Sequence, residues 1–172
     1  MTRITALALL AGLGALPLSG CSTMAGVPLA GDMTPEAAPA YVAMAASSDM
    51  YEITSSQIAL QRARDPRHRS FAQMMIQHHT GTTAQLTAAA RSAGLNPPPA
   101  MLPMHAALIR QLQASSNVDA TYHQQQVLAH QQALALHSNY ASRGDQPALR
   151  SVAAAATPIV QSHLTQIRSF SM

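Results

Sequence analysis

Small and apolar residues recur at helical spacing in four long stretches of the chain. At about 100° per residue, Tyr41, Ala45, Ser48, Glu52, Ser55 and Ala59 share one broad face of the first, with Met44, Tyr51 and Ile58 along its edge. In the second, Phe71, Met75, Thr82, Leu86 and Ala89 form the stripe, and His78 and His79 flank its middle, pointing inward. The third stripe is His123, Val127, His130, Leu134, His137 and Ala141. The fourth is Leu149, Val152, Ala153, Ala156, Val160, His163, Leu164 and Ile167.

Local signals bound these stretches. The first helix begins after Thr34-Pro35-Glu36, or after Pro39, and runs to about Arg64. Asp65-Pro66 supplies an N-cap and a proline at the first helical position, so the second helix starts at once and ends at Gly94. The two then form an antiparallel hairpin, which brings Glu52 level with His78 and His79. Residues 95–117 make a long connection with a short helix around Met104 to Ala114; it either runs back along the bundle or packs across one end. The third long helix follows Asn117 or Asp119 and stops near Gly144, and Asp145 with Pro147 opens the fourth. Pro158 leaves the carbonyl of Ala154 without its helical partner and predicts a local irregularity one turn before His163.

Composition agrees with this pattern. Alanine, leucine, glutamine and methionine abound, tryptophan is absent, and an apolar fraction of 48% can fill one sizeable core. The expected fold is an all-α, ferritin-like four-helix bundle with a long connection between helices 2 and 3. The net charge of +3 comes from arginines scattered along the chain, without a basic stripe or a glycine-rich phosphate loop, so nucleic acid is not an expected partner.

The N-terminal part has a different character. Residues 1–20 read as a signal peptide, with Arg3 as the positive start and Ile4 to Leu18 as an apolar run too short to span a bilayer comfortably. The run ends in Leu18-Ser19-Gly20-Cys21, which looks like a bacterial lipobox; lipid on Cys21 then anchors the chain to a membrane, and the resemblance to such lipoproteins implies, from Ser22 after the cysteine, the outer membrane, facing the periplasm. Residues 21–34 form a flexible tether, and the bundle domain covers residues 35–172.

Chemistry is concentrated in the inward polar positions. Glu52, His78 or His79, His130 and His163 place one such residue on each long helix. Four separate hydrogen-bonding solutions in an apolar core are harder to build than one shared solution. That shared solution is either a metal-free Glu-His network or one bound ion, and three imidazoles with a carboxylate suit Zn, Cu or Fe over Mg or Ca. His123, His130 and His137 cannot share an ion, because seven residues of helix span about 10.5 Å. Met101, Met104 and His105 in the connection offer a second, copper-favouring donor set. Gln124, Gln125, Gln126, Gln131 and Gln132 read as a solvated surface, with Gln126 or Gln131 near enough to assist a site. The serines lie in no nucleophile elbow, Ser-x-x-Lys is impossible without lysine, and no catalytic constellation is expected.

Several segments in order, Tyr51-Glu52-Ile53, Phe71-Ala72-Gln73-Met74-Met75-Ile76 with His78-His79-Thr80, Gln126-Val127-Leu128-Ala129-His130, and Pro158-Ile159-Val160 with His163-Leu164, resemble a bacterial envelope family of unknown function. Its members are labelled predicted outer membrane proteins and regarded as ferritin-like bundles, and the resemblance covers residues 38–170. Members often carry an acid where this chain has His78, and the resemblance points to His79 as the ligand of the pair. Di-iron ferritin-like oxidases present four carboxylates and two Glu-x-x-His pairs, whereas only Glu52 stands here, which argues against oxidase activity. Met74-Met75-Ile76 with His78-His79 also resembles a second ferritin-like family associated with copper handling. The implied role is metal handling or envelope stress, or else a structural module that binds an envelope protein or a second copy of itself.

Overall fold

The structure is a computed structural model that describes residues 34–170; the signal-peptide and Cys21 assignments, and the tether up to residue 33, lie outside the described residues. Five helices follow in order: α1 (Ala38–Arg62), α2 (Pro66–Ser92), α3 (Pro103–Ala114), α4 (Val118–Arg143) and α5 (Pro147–Arg168). The fold is an all-α bundle of four long helices, with the short α3 inside the long connection.

The punctuation residues act as their chemistry requires. The Asp65 side chain accepts from the amide of Arg67 at 2.8 Å, and Pro66 occupies the next position, where a missing N–H costs nothing. Gly94 adopts φ 74° and closes α2 with the amides of Leu95 and Gly94 donating to the carbonyls of Ala90 and Arg91, the paired bonds of a Schellman end. The Asn117 side chain accepts from Ala120 at the start of α4. Asp145 departs from expectation: α5 has Gln146 as its N-cap, without a side-chain bond. The Asp145 carboxylate instead accepts from the amide of Ala38 and the hydroxyl of Tyr140, both at 2.9 Å, and so caps α1 from across the bundle. α5 continues through Pro158, which sits on its exposed face.

α1 packs on α2 and α4, α5 packs on α2 and α4, and α3 covers α1 and α4. Cross-helix bonds fix the register. Tyr41 meets His137, Glu52 meets Gln126 and Ser56 meets Tyr122, so α4 runs antiparallel to α1. α3 runs in the direction of α1, from His105 at Ser47 to the carbonyls of Leu112 and Gln113 at Arg62. The connection therefore runs back along the bundle and delivers α4 to the end where α2 began.

α1 is buried on more than one face: Ser47 meets α3, Asp49 meets α2 and Ser56 meets α4. On α4 the buried face is Tyr122, Gln125, Gln126, Ala129, His130, Ala133, Leu136 and Tyr140. The expected stripe was thus rotated, with His130 at its edge and His123 and His137 half-buried. Gln125 is a correction: it is buried, donating to the carbonyl of Leu108 at 3.0 Å, because α3 covers the face that would otherwise meet water.

Two glycines give a paired prediction. A Cβ at Gly144 would overlap the ring of Tyr140, which is fully buried and stacked on Tyr41 with centroids 3.8 Å apart. Gly144→Ala is expected to cost about 1–3 kcal/mol in urea unfolding, because the ring has nowhere to move. Gly81 lies within α2 with nothing within 4 Å of its Cβ position, so Gly81→Ala is expected to stabilise by about 1 kcal/mol through helix propensity. Equal effects from the two would contradict the packing at Tyr140.

Candidate metal centre

The inward histidines meet at the middle of the bundle. His79 from α2, His130 from α4 and His163 from α5 are buried, and one ligand atom from each lies within 4.8 Å of the others. Their ring centroids stand 5.5 to 6.1 Å apart. Among the described residues this is the one group of three or more His, Cys, Asp or Glu that could hold an ion.

Each ring is fixed by a bond on its far nitrogen. Nδ1 of His79 lies 2.7 Å from Oδ1 of Asp49. A carboxylate accepts, so Nδ1 carries the hydrogen and Nε2 keeps its lone pair. Thr82 and Thr83 place their hydroxyls 2.9 and 3.1 Å from the same carboxylate and hold it in position. Nδ1 of His130 donates to the carbonyl of Gln126 at 2.8 Å, which again leaves the lone pair on Nε2. Nε2 of His163 pairs with Nδ1 of His78 at 2.7 Å. When His163 donates in that bond, its Nδ1 bears the lone pair.

The three remaining nitrogens, Nε2 of His79, Nε2 of His130 and Nδ1 of His163, are buried without a hydrogen-bond partner. An unmet buried polar atom costs about 1–3 kcal/mol, and three facing one another exceed what an ordinary core carries. A carboxylate or carbonyl behind the ring is the usual support of a metal-binding histidine; His79 and His130 have one, and His163 has the His78 ring in its place. The donor set fits a transition-metal ion.

Electrostatics around the triad separate the rings. Burial lowers the pKa of His130 and of His163 to about 3, with the charge of His79 adding to the effect, so both rings are neutral donors. Burial also opposes charge on His79, but the hydrogen bond and charge of Asp49, joined by Glu52, outweigh it and raise that pKa. Burial pushes Glu52 up to about 7.

Glu52 stands beside the triad without joining the close group. Its Oε2 accepts from Nε2 of Gln126 at 2.7 Å, and its Oε1 lies 3.7 Å from Nδ1 of His130, whose hydrogen goes to the Gln126 carbonyl. His78 is exposed and reaches the site through His163, contrary to the expectation that both adjacent histidines point inward; a 100° step between neighbours allows only one to do so. Asp49 was missed by the periodicity argument, since it lies off the stripe centred on Glu52; an acid one turn before Glu52 on the same helix was the available signal. Met101, Met104 and His105 are spread along the start of α3. Met101 packs against the cluster of Tyr51, Leu108, Ile109 and Ala129, Met104 against the cluster around Tyr41, and Nδ1 of His105 lies 2.6 Å from the Ser47 hydroxyl.

The chain belongs to the family described as Domain of unknown function (DUF4142), whose profile matches residues 24–170. No curated protein matches it. It is similar to a solved structure described as "CopM in the Cu(II)-bound form", at 17% identity and a TM-score of 0.65, covering 77% of this chain and 93% of that one. "CopM in the Cu(I)-bound form" gives 18% identity, a TM-score of 0.64, and coverage of 76% and 92%. "CopM in the apo form" gives 18%, 0.64, and coverage of 77% and 93%. At this identity the likeness is one of fold.

Proposed function

We propose that this chain is a periplasm-facing lipoprotein, held to the outer membrane through Cys21, whose ferritin-like bundle binds one transition-metal ion at His79, His130 and His163 for metal handling. The observation that carries the reading is the set of three buried, partnerless imidazole nitrogens. Copper is the foremost candidate, because imidazole nitrogens suit it and similar solved structures are described as Cu(II)- and Cu(I)-bound. Zn and Fe fit the same donors less selectively.

The chain's own residues divide the work. His79, His130 and His163 supply the nitrogens, Asp49 and the Gln126 carbonyl aim two of them, and His78 aims the third from the surface. Ligand atoms on a tetrahedral ion stand roughly 3.3 Å apart at usual metal–nitrogen lengths, so loading draws the rings inward by side-chain adjustment. Glu52 supplies negative charge next to the site, since a cation nearby favours its ionised form. Handling fits better than turnover, because Asp49, the second acid at the triad, is committed to His79, Thr82 and Thr83.

The test is the metal content of the chain purified without a His tag, followed by titration with Cu(II) and Zn(II). One tightly bound ion is expected, lost in a His130→Ala/His163→Ala variant. Asp49→Asn is expected to weaken affinity about ten- to a hundredfold while leaving the stoichiometry unchanged. No binding after challenge with Zn, Cu and Fe, together with an unchanged melting temperature, would sink the proposal and favour a metal-free buried network.

A further inference from the structure

Two more histidines with bare nitrogens sit at the end of the bundle where α2 and α4 begin. His68 is 1% exposed, and its Nδ1 stands 2.9 Å from Oδ1 of Asp119. The carboxylate accepts, so Nε2 of His68 keeps its lone pair. That Nε2 is buried without a hydrogen-bond partner, and so is Nδ1 of His123. The two rings are 5.7 Å apart, the same spacing as His79 and His163 in the core.

The arrangement repeats the device of the core site. His68 precedes His79 by three turns of α2, and His123 precedes His130 by two turns of α4. Both α2 histidines give Nδ1 to a carboxylate and leave Nε2 bare. Asp119 is held firmly for this purpose, since it also accepts from the amides of Arg64 and Asp65 at 2.9 and 3.0 Å.

We propose that Nε2 of His68 and Nδ1 of His123 form a second metal site that takes a monovalent d10 ion, Cu(I) or Ag(I). Two neutral nitrogens satisfy an ion of this kind, which accepts two-coordinate binding, whereas a divalent ion needs more donors than stand here. Charge points the same way. One positive charge balances the Asp119 carboxylate, while a second would be left over between the rings of Tyr122 and Phe170, which face His68 at 6.2 and 5.6 Å. Arg67, placed over the Phe170 ring, is neutralised by Asp65 and offers no charge to balance a second one.

Silver(I) is the probe, because it binds like Cu(I) and keeps its oxidation state in air. Titration of the purified chain, followed by native mass spectrometry, is expected to give two ions for the natural sequence and one for His123→Leu. His123 is half-buried, so leucine keeps the fold, which circular dichroism verifies. His68→Gln is the second variant and is expected to lose the same single ion. The His130→Ala/His163→Ala variant should also retain one ion, the one lost from His123→Leu. Its retention of both would overturn the core reading and leave this one standing. Equal stoichiometry in the natural sequence and in both His123→Leu and His68→Gln would overturn the second site, as would loss of both ions from a folded His123→Leu chain. A site bridged by a buried water alone would give the first of these results.

Discussion

Lowering the pH from 7 to 4 is expected to remove about 3 kcal/mol of stability from the metal-free chain for each of His105 and His137. Burial lowers both pKa values to about 4, against 6.5 for a free imidazole. The unfolded chain then binds more protons than the folded one across this range. Their contribution is complete above about pH 6.5 and is lost as the pH falls toward 4. His130 and His163, lowered to about 3, extend the loss to more acid conditions. His79 and Glu52 act oppositely, because a raised pKa gives stability in acid that fades as the pH rises through it, about 7 for Glu52.

The structural reason is clearest at His105, which is 3% exposed. The amide of Leu102 donates to the Ser47 oxygen at 2.8 Å, so the hydroxyl hydrogen is free to go to Nδ1 of His105. Protonating that nitrogen removes the acceptor, so the Ser47 hydroxyl must turn its hydrogen away, and it leaves an imidazolium charge in a buried site between α1 and the start of α3. Urea unfolding at pH 7.5, 5 and 4 checks the prediction. His105→Gln should flatten the slope relative to the natural sequence, and the same pH dependence in both chains would refute the buried neutral assignment.

Phe71→Ala is expected to cost about 3–5 kcal/mol, the usual range for emptying a fully buried phenylalanine site. Phe71 is 0% exposed and packs between the two histidine clusters. Its ring lies 6.1 Å from His130, 6.4 Å from His163 and 6.0 Å from Phe170. The cavity would free His130 and His163 to rotate, so the variant should lose copper affinity as well as stability. Saturating copper should restore part of the loss, about 2.7 kcal/mol at a hundred times the dissociation constant. Thermal melts with and without copper test this, with Phe71→Leu as the smaller truncation. A loss below 1 kcal/mol would mean that Phe71 is not the partition between the clusters.

Several residues were decided by local chemistry and could be read directly. Asp65-Pro66, Gly94 and Asn117 bound helices whose ends depend on caps and on φ, and those depend on neighbours in the chain. Asp145 could not be read this way, because the amide it caps belongs to α1, more than a hundred residues earlier. Gln125 looked solvated until α3 covered it, and Asp49 looked peripheral until Thr82, Thr83 and His79 closed around it.

The second helix states the division most plainly. Its sequence by itself determined that it is a helix with an inward stripe, because periodicity sets the direction of each side chain around its own axis. The same argument put His130 and His163 on inward faces of their helices. It could not set which nitrogen of His79 carries the hydrogen, or that His78 would reach the site only through His163. Those outcomes depend on the rotation and axial register of one helix against another, and the path of the long connection sets that register. The tautomers follow from acceptors on other helices and on neighbouring turns, Asp49 for His79 and the Gln126 carbonyl for His130. Only the assembled bundle brings the three lone pairs to one point.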